Sequence, residues 1–326
     1  MKKKTAEVAA KIHGDVTREV EALFRDGLLL DLSIGAWTGL VKNTKEDLGI
    51  DAGAELPEYV VGLGMKRLCP DALASSWMTH VSRARAILYS YSFTRFPLSG
   101  GAFVPAKALP TIIEKLEAQK AEFDAAWQSM IADFDNMRDT FIANAEPKHR
   151  AVLRQIYPSK AEVEARFYFT YSAYTVDLPK KIAGLKIEAE KEAMDRFRNE
   201  LDRRIDGFLE ESVKTLRAKA ADICSTVIDN VRSGKTVSQT NITTLSEYID
   251  RFRSLNYVGD KDMESRLTKL QHDILDGIDL DDLKAKGGDK GLREALASAC
   301  DDIKQAAENV SDVSEITGGY RRRIIL

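Results

Sequence analysis

Residues 180–232 read KKIAGLKIEAEKEAMDRFRNELDRRIDGFLEESVKTLRAKAADICSTVIDNVR, and the fold class turns on how this stretch is interpreted. Met194, Ile205, Leu216 and Val227 recur every 11 residues, with Phe197, Leu201, Phe208 and Ile223 on the same stripe. An 11-residue repeat averages ~3.67 residues per turn, close to a straight α-helix and unlike a left-handed coiled coil. Proline costs a helix interior ~3 kcal/mol. All eight prolines lie between Pro57 and Pro179, so nothing of that kind interrupts residues 180–326. Fifty-odd helical residues at ~1.5 Å each make a rod of ~80 Å, longer than the ~50 Å diameter of a compact globule of this size. The chain is therefore elongated, or the helix breaks, with Gly207 the natural place.

Working outward, Ser233-Gly234-Lys235 ends that helix. Residues 241–255 form the next, with Thr244 and Glu247 at capping-box spacing. Asp260 opens another, and Gly287-Gly288 precedes one carrying Leu292, Leu296, Cys300 and Ile303. The tail, Gly318 to Leu326, reads as mobile. Upstream, Val8, Ile12, Val16, Val20 and Phe24 mark a first helix, and Leu28 to Ile34 a short buried strand or packed turn. Thr44-Lys45-Glu46-Asp47 resembles a helix start with Gly49 as its stop. A helix follows Pro70-Asp71 to about Leu88. Tyr89, Tyr91 and Phe93 alternate with small polar residues before Ser99-Gly100-Gly101 and Phe103-Val104, which predicts a β-hairpin. A heptad stripe (Leu116, Phe123, Trp127, Met130, Phe134, Met137 and Phe141) predicts one helix over residues 111–145. Ser159 and Glu162 have capping-box spacing. Phe167 to Val176 is the strongest strand signal, expected to share one sheet with the hairpin.

The fold expected is mainly α: an elongated bundle of long helices with one small antiparallel sheet. Residues 1–178 read as a helical domain containing that sheet, and residues 179–326 as an all-helical domain with a basic tail.

Composition narrows the function. The 326 residues carry 48 Lys and Arg against 51 Asp and Glu, a net charge of −3 with no global field to hold nucleic acid. Mean hydropathy is −0.29, and no stretch approaches the ~18 apolar residues of a membrane span. Lys2-Lys3-Lys4 imitates a signal-peptide start, but a polar stretch follows where an apolar core belongs. Cys69, Cys224 and Cys300, odd in number and distant in sequence, suit a reducing cytoplasm.

Chemistry-bearing motifs fail on inspection. Ser233-Gly234-Lys235-Thr236 suggests a phosphate loop, but Asp229 stands where its first glycine belongs, and a helix, not a strand, precedes it. A helix C-cap accounts for it. Gly62-Leu63-Gly64 lacks the third glycine of a dinucleotide fingerprint. Lys66 and Arg67 beside it remain candidates for holding an acidic partner. The four histidines are scattered. Asp273, Asp276, Asp279, Asp281 and Asp282 lack the oxygen spacing of a calcium loop and read as helix-end charges. No cofactor, metal or catalytic residue is expected. Arg321, Arg322 and Arg323, followed by Ile324-Ile325-Leu326, are candidates for partner docking.

The order of several segments resembles a known family. They are Leu32-Ser33-Ile34 with Trp37, Thr44 to Gly49, Leu63 to Cys69, Gly100 to Pro105, the heptad helix, and Arg166-Phe167-Tyr168-Phe169. Together these resemble the bacterial and phage family of domain of unknown function 3150. That family has no established activity. The resemblance implies company instead: a MoxR/CobS-like AAA+ ATPase and a von Willebrand A-domain protein. The expectation is a non-enzymatic, cytoplasmic scaffold or adaptor that binds protein partners and self-assembles. A membrane-active helical protein is the first alternative, and a nucleic-acid-binding subunit using Arg321–Arg323 and Lys180-Lys181 the second.

Overall fold

The computed structural model describes residues 20–45, 64–94, 96–97, 99–176, 187–309 and 311–325. Among the described residues the chain is mainly helical, with a small three-stranded antiparallel sheet and a two-stranded one. It divides into two compact units. One gathers Met1–Leu30, Tyr91–Pro110 and Ala173–Leu326; the other gathers Asp31–Ser90 and Thr111–Ser172.

The first unit is built on the stretch that decides the fold. Helix α6 runs unbroken from Ile187 to Arg232, 46 residues and ~69 Å. It does not break at Gly207, where a side chain would meet nothing within 4 Å. Ile205, Leu216 and Val227 are buried, as the 11-residue repeat predicts, together with Leu201, Phe208, Val213, Ala220 and Cys224. Phe197 departs from the expectation: it is 42% exposed. Against this face pack α7 (Gln239–Leu255), α9 (Lys290–Glu308) and α10 (Val313–Ile325). Helix α8 (Lys261–Leu270) adds Met263, Leu267 and Leu270, then relaxes into a π turn at Gln271–Leu275 and a 3-10 turn at Leu280–Leu283. Ser238 caps α7 in a capping box with Asn241, so Thr244 lies inside the helix instead of starting it.

The tail is a correction. Residues 313–325 form a helix in spite of Gly318-Gly319, because Val313, Thr317 and Tyr320 at spacings of four and three are all buried. Tyr320 donates from its hydroxyl to the Asp26 carboxylate at 2.7 Å.

The predicted hairpin is corrected as well. Strand β4 (Ala102–Pro105) pairs with the first half of β1 (Gly27–Gly35), Leu28 opposite Val104 and Leu30 opposite Ala102. Among the described residues a single Phe93–Phe103 bridge survives of the hairpin. Tyr89 belongs to α1 (Asp71–Ser90), whose buried Trp77, Val81, Ala84 and Leu88 carry the helical period through the alternating residues. The sheet order is β4-β1-β5, with β5 spanning Tyr168–Tyr174. Leu28 to Ile34 is therefore the central strand, and the two expected strands flank it.

In the second unit, β2 (Leu40–Lys42) and β3 (Met65–Arg67) make the two-stranded ladder. The heptad helix comes in two pieces, α2 (Leu109–Ala132) and α3 (Phe134–Asn144), interrupted at Asp133. Pro147 begins α4 (Pro147–Ile156), as a proline can at a first helical turn. Helix α5 (Lys160–Glu164) carries the predicted Ser159–Glu162 capping box. Aromatic rings knit this unit. Trp127 stacks on Phe167, Trp77 meets Phe167 edge-on, and the Trp77 indole donates to the Trp37 carbonyl at 2.9 Å. The Thr44–Gly49 helix start, most of the first helix, Lys2–Lys4 and Lys180-Lys181 lie wholly or partly outside the described residues.

Candidate functional site

Helix α4 has a strongly apolar side and no buried residue. Val152, Leu153 and Ile156 face a cleft of about 660 Å³ instead of a packed core. Its other wall is α3, through Met137 and Phe141; Asn43, Lys66 and Arg67 complete the rim. Val152 is 44% exposed. The volume falls within the ~300–1,000 Å³ of small-molecule and cofactor sites.

The walls are held by local chemistry. Ala145 leaves the helical region at the end of α3, and Pro147 starts α4 two residues later. Arg150 reaches back across this corner, donating from Nε to the Ala145 carbonyl at 2.9 Å and from Nη2 to Ala143 at 2.8 Å. These are carbonyls that a helix end otherwise leaves unpaired. Behind the cleft, Trp37, Phe134 and Tyr157 form a cluster with centroids 6.0–6.4 Å apart. Tyr157 donates its hydroxyl to the Leu68 carbonyl, tying α4 to the turn that follows β3. Burial holds the Tyr157 phenol well above its ordinary range, so it stays a neutral donor. Burial likewise pushes the neighbouring Cys69 thiol up to about 11, with Arg67 opposing. The break at Asp133 puts Phe134 into the cluster and Met137 on the cleft wall, two sides that a continuous heptad would have merged.

The predicted partner-binding residues fall into two separate places. Lys66 and Arg67 stand on β3 at the cleft rim, and Arg67 pairs with Asp71 in the first turn of α1. Arg321, Arg322 and Arg323 sit on α10 in the first unit. Arg321 binds Asp202 at 2.8 Å and Asp206 at 3.0 Å on α6. Arg323 donates to the Tyr257 carbonyl at 3.1 Å and lies over the Tyr320 ring. Arg322 is exposed. Among the described residues the run is thus helical, with two of its arginines engaged inside the chain.

The remaining motifs resolve as structure. Gly234 takes φ +67, and Gly234 and Lys235 donate back to Val231 and Asn230, closing α6 with a left-handed C-cap. Gly64, at φ +71, accepts from the Asn43 amide beside the β2–β3 ladder. Asp279 caps the 3-10 turn, Asp281 pairs with Lys284, and Asp276 lies 3.0 Å from His272. Among the described residues no three His, Cys, Asp or Glu side chains are grouped to hold a metal ion. Nor is any described helix long and apolar enough to cross a membrane.

Two groupings escaped the sequence. Arg217 is buried in the first unit between Asp260 and Asp312. Its only signal is a guanidinium falling among Val213, Leu216 and Ala220 on a buried stripe. Cys224 and Cys300, distant in sequence, meet between α6 and α9 as buried free thiols.

A family model described as protein of unknown function (DUF3150) matches residues 25–278. The chain belongs to this family. The matched span holds the cleft and all three strands of the larger sheet, while α9 and α10, with Arg321–Arg323, follow it. No curated protein and no solved structure matches the chain.

Proposed function

We propose that this DUF3150 chain is a non-enzymatic helical adaptor that holds a protein partner through the α3–α4 cleft. The observation carrying the reading is the apolar face of α4, which no other described element covers and which Met137 and Phe141 oppose. An amphipathic helix laid into such a groove buries its own apolar face there, with ionic contacts at the rim setting its direction. Lys66 stands at that rim, and Arg67 beside it is paired with Asp71. The partner implied by the family resemblance is a MoxR-type AAA+ ATPase, working with a von Willebrand A-domain protein.

The test is titration of the purified full chain with the MoxR-type ATPase of the same genome. Val152→Glu places a carboxylate on the exposed wall, where it leaves folding unchanged. Binding is expected to weaken at least ~10-fold in that variant, since a buried unpaired charge is costly. No binding by the parent chain, or equal binding by the variant, overturns the reading.

A further inference from the structure

Among the described residues, strand β5 is a bare edge. It ends the β4-β1-β5 order, so among the described residues its neighbour in the sheet is β1 alone. The opposite edge strand, β4, has all four residues buried. In β5 only Phe169 is buried, its ring 5.9 Å from that of Phe123. Tyr168 and Tyr174 are 49% and 38% exposed. Exposed edges are ordinarily guarded by lysine, proline or a bulge, because their unpaired amides template pairing with another chain. Residues 167–176 contain neither a charge nor a proline.

The same seven residues, Tyr-Phe-Thr-Tyr-Ser-Ala-Tyr, are nearly their own complement when read about Tyr171. In an antiparallel pair with a two-fold axis there, Tyr168 meets Tyr174, Thr170 meets Ser172 and Phe169 meets Ala173. Aromatic pairs and hydroxyl pairs are favourable cross-strand neighbours. Just outside the strand, Arg166 meets Val176, so no charge faces its like. Tyr171 itself donates to the Glu117 carboxylate, which anchors the strand's centre.

We propose that β5 is a homotypic docking edge, by which two copies of this chain join their sheets about a two-fold axis at Tyr171. Seven residues at ~3.3 Å make an edge of ~23 Å, which covers less than the ~1,600 Å² of a standard interface. The dimer therefore dissociates in the micromolar range. The partner-binding reading of the cleft is independent of this proposal.

Sedimentation of the full chain from ~1 to ~200 µM tests it, across the range where a weak dimer forms. The expected result is a reversible monomer–dimer equilibrium. Thr170→Lys with Ser172→Lys opposes like charges twice and is expected to leave monomer at every concentration. Mixing that variant with one carrying Thr170→Glu and Ser172→Glu restores a dimer, which a merely unfolded variant would not do. As a second measurement, Tyr171→Cys gives a disulfide-linked dimer on mild oxidation with diamide, whereas Thr226→Cys on the exposed side of α6 does not. A parent chain monomeric throughout, or a dimer untouched by the paired lysines, overturns the proposal. A strand of some other protein as the true occupant would show itself as the first of these.

Discussion

The guanidinium of Arg217 lies against the carboxylate of Asp260, Nε to Oδ2 at 2.6 Å, with 1% and 3% of the two side chains exposed. A second hydrogen bond, Nη2 to Oδ1, spans 3.2 Å. Arg217 also meets both oxygens of Asp312, at 2.8 and 3.0 Å, and donates to the Ala306 and Asn309 carbonyls. Burying a guanidinium is favourable only when its donors are filled in this way. Asp260 at the same time caps α8 through the Met263 amide at 3.2 Å.

Removing one member of this group leaves a charge in the interior. Arg217→Ala is expected to cost about 3–5 kcal/mol of unfolding free energy in a urea titration. Asp312, a third exposed, keeps water on one side, so Asp312→Asn is expected to cost about 1 kcal/mol. Equal losses in the two variants, both near 1 kcal/mol, would refute the network's importance.

Two glycines are expected to respond in opposite directions. At Gly207 a methyl group meets open space on a helix interior, so Gly207→Ala stabilises the chain by about 0.5–1 kcal/mol. Gly39 has φ +66, and a Cβ there would run into the Cys69 sulfur. Gly39→Ala is expected to lower the melting temperature, and Gly207→Ala to raise it, in the same calorimetric series.

Stability is expected to fall on the alkaline side. Burial raises the Cys69 thiol, the Tyr257 phenol and, with a hydrogen bond to Asp26, the Tyr320 phenol. A group raised in the folded state contributes fully below its unfolded value, ~8.5 for cysteine and ~10 for tyrosine, and the contribution is lost as pH climbs toward the folded value. For Cys69 that window runs from ~8.5 to about 11. Urea midpoints should therefore hold steady from pH 7 to 8 and decline above pH ~9. Ultraviolet titration showing every tyrosine ionising near pH ~10 in the folded chain would contradict this.

Much of the fold was legible where one period dominated. The stripe of α6, the strand at β5 and the Ser159 cap each depend on neighbours within a turn or two. The misread places are those where a distant residue decides. Phe134 leaves the heptad to meet Trp37, and Arg321 finds Asp202 and Asp206 on another helix. Alternating Tyr89 and Tyr91 imitate a strand, yet the residues that bury are Trp77, Val81, Ala84 and Leu88. Of the candidate site, Lys66 and Arg67 were visible as charges beside glycines. The cleft itself was not, because an apolar residue in a helix reads the same whether its neighbour is a core or an opening.

A fragment trimmed where the family match stops, at residue 278, would remove more than two terminal helices. It would take away Ala306, Asn309 and Asp312 together, leaving Arg217 to one carboxylate and to whatever water entered. A soluble piece for crystallisation or selection should therefore be cut beyond residue 312, where the guanidinium keeps its whole set of acceptors.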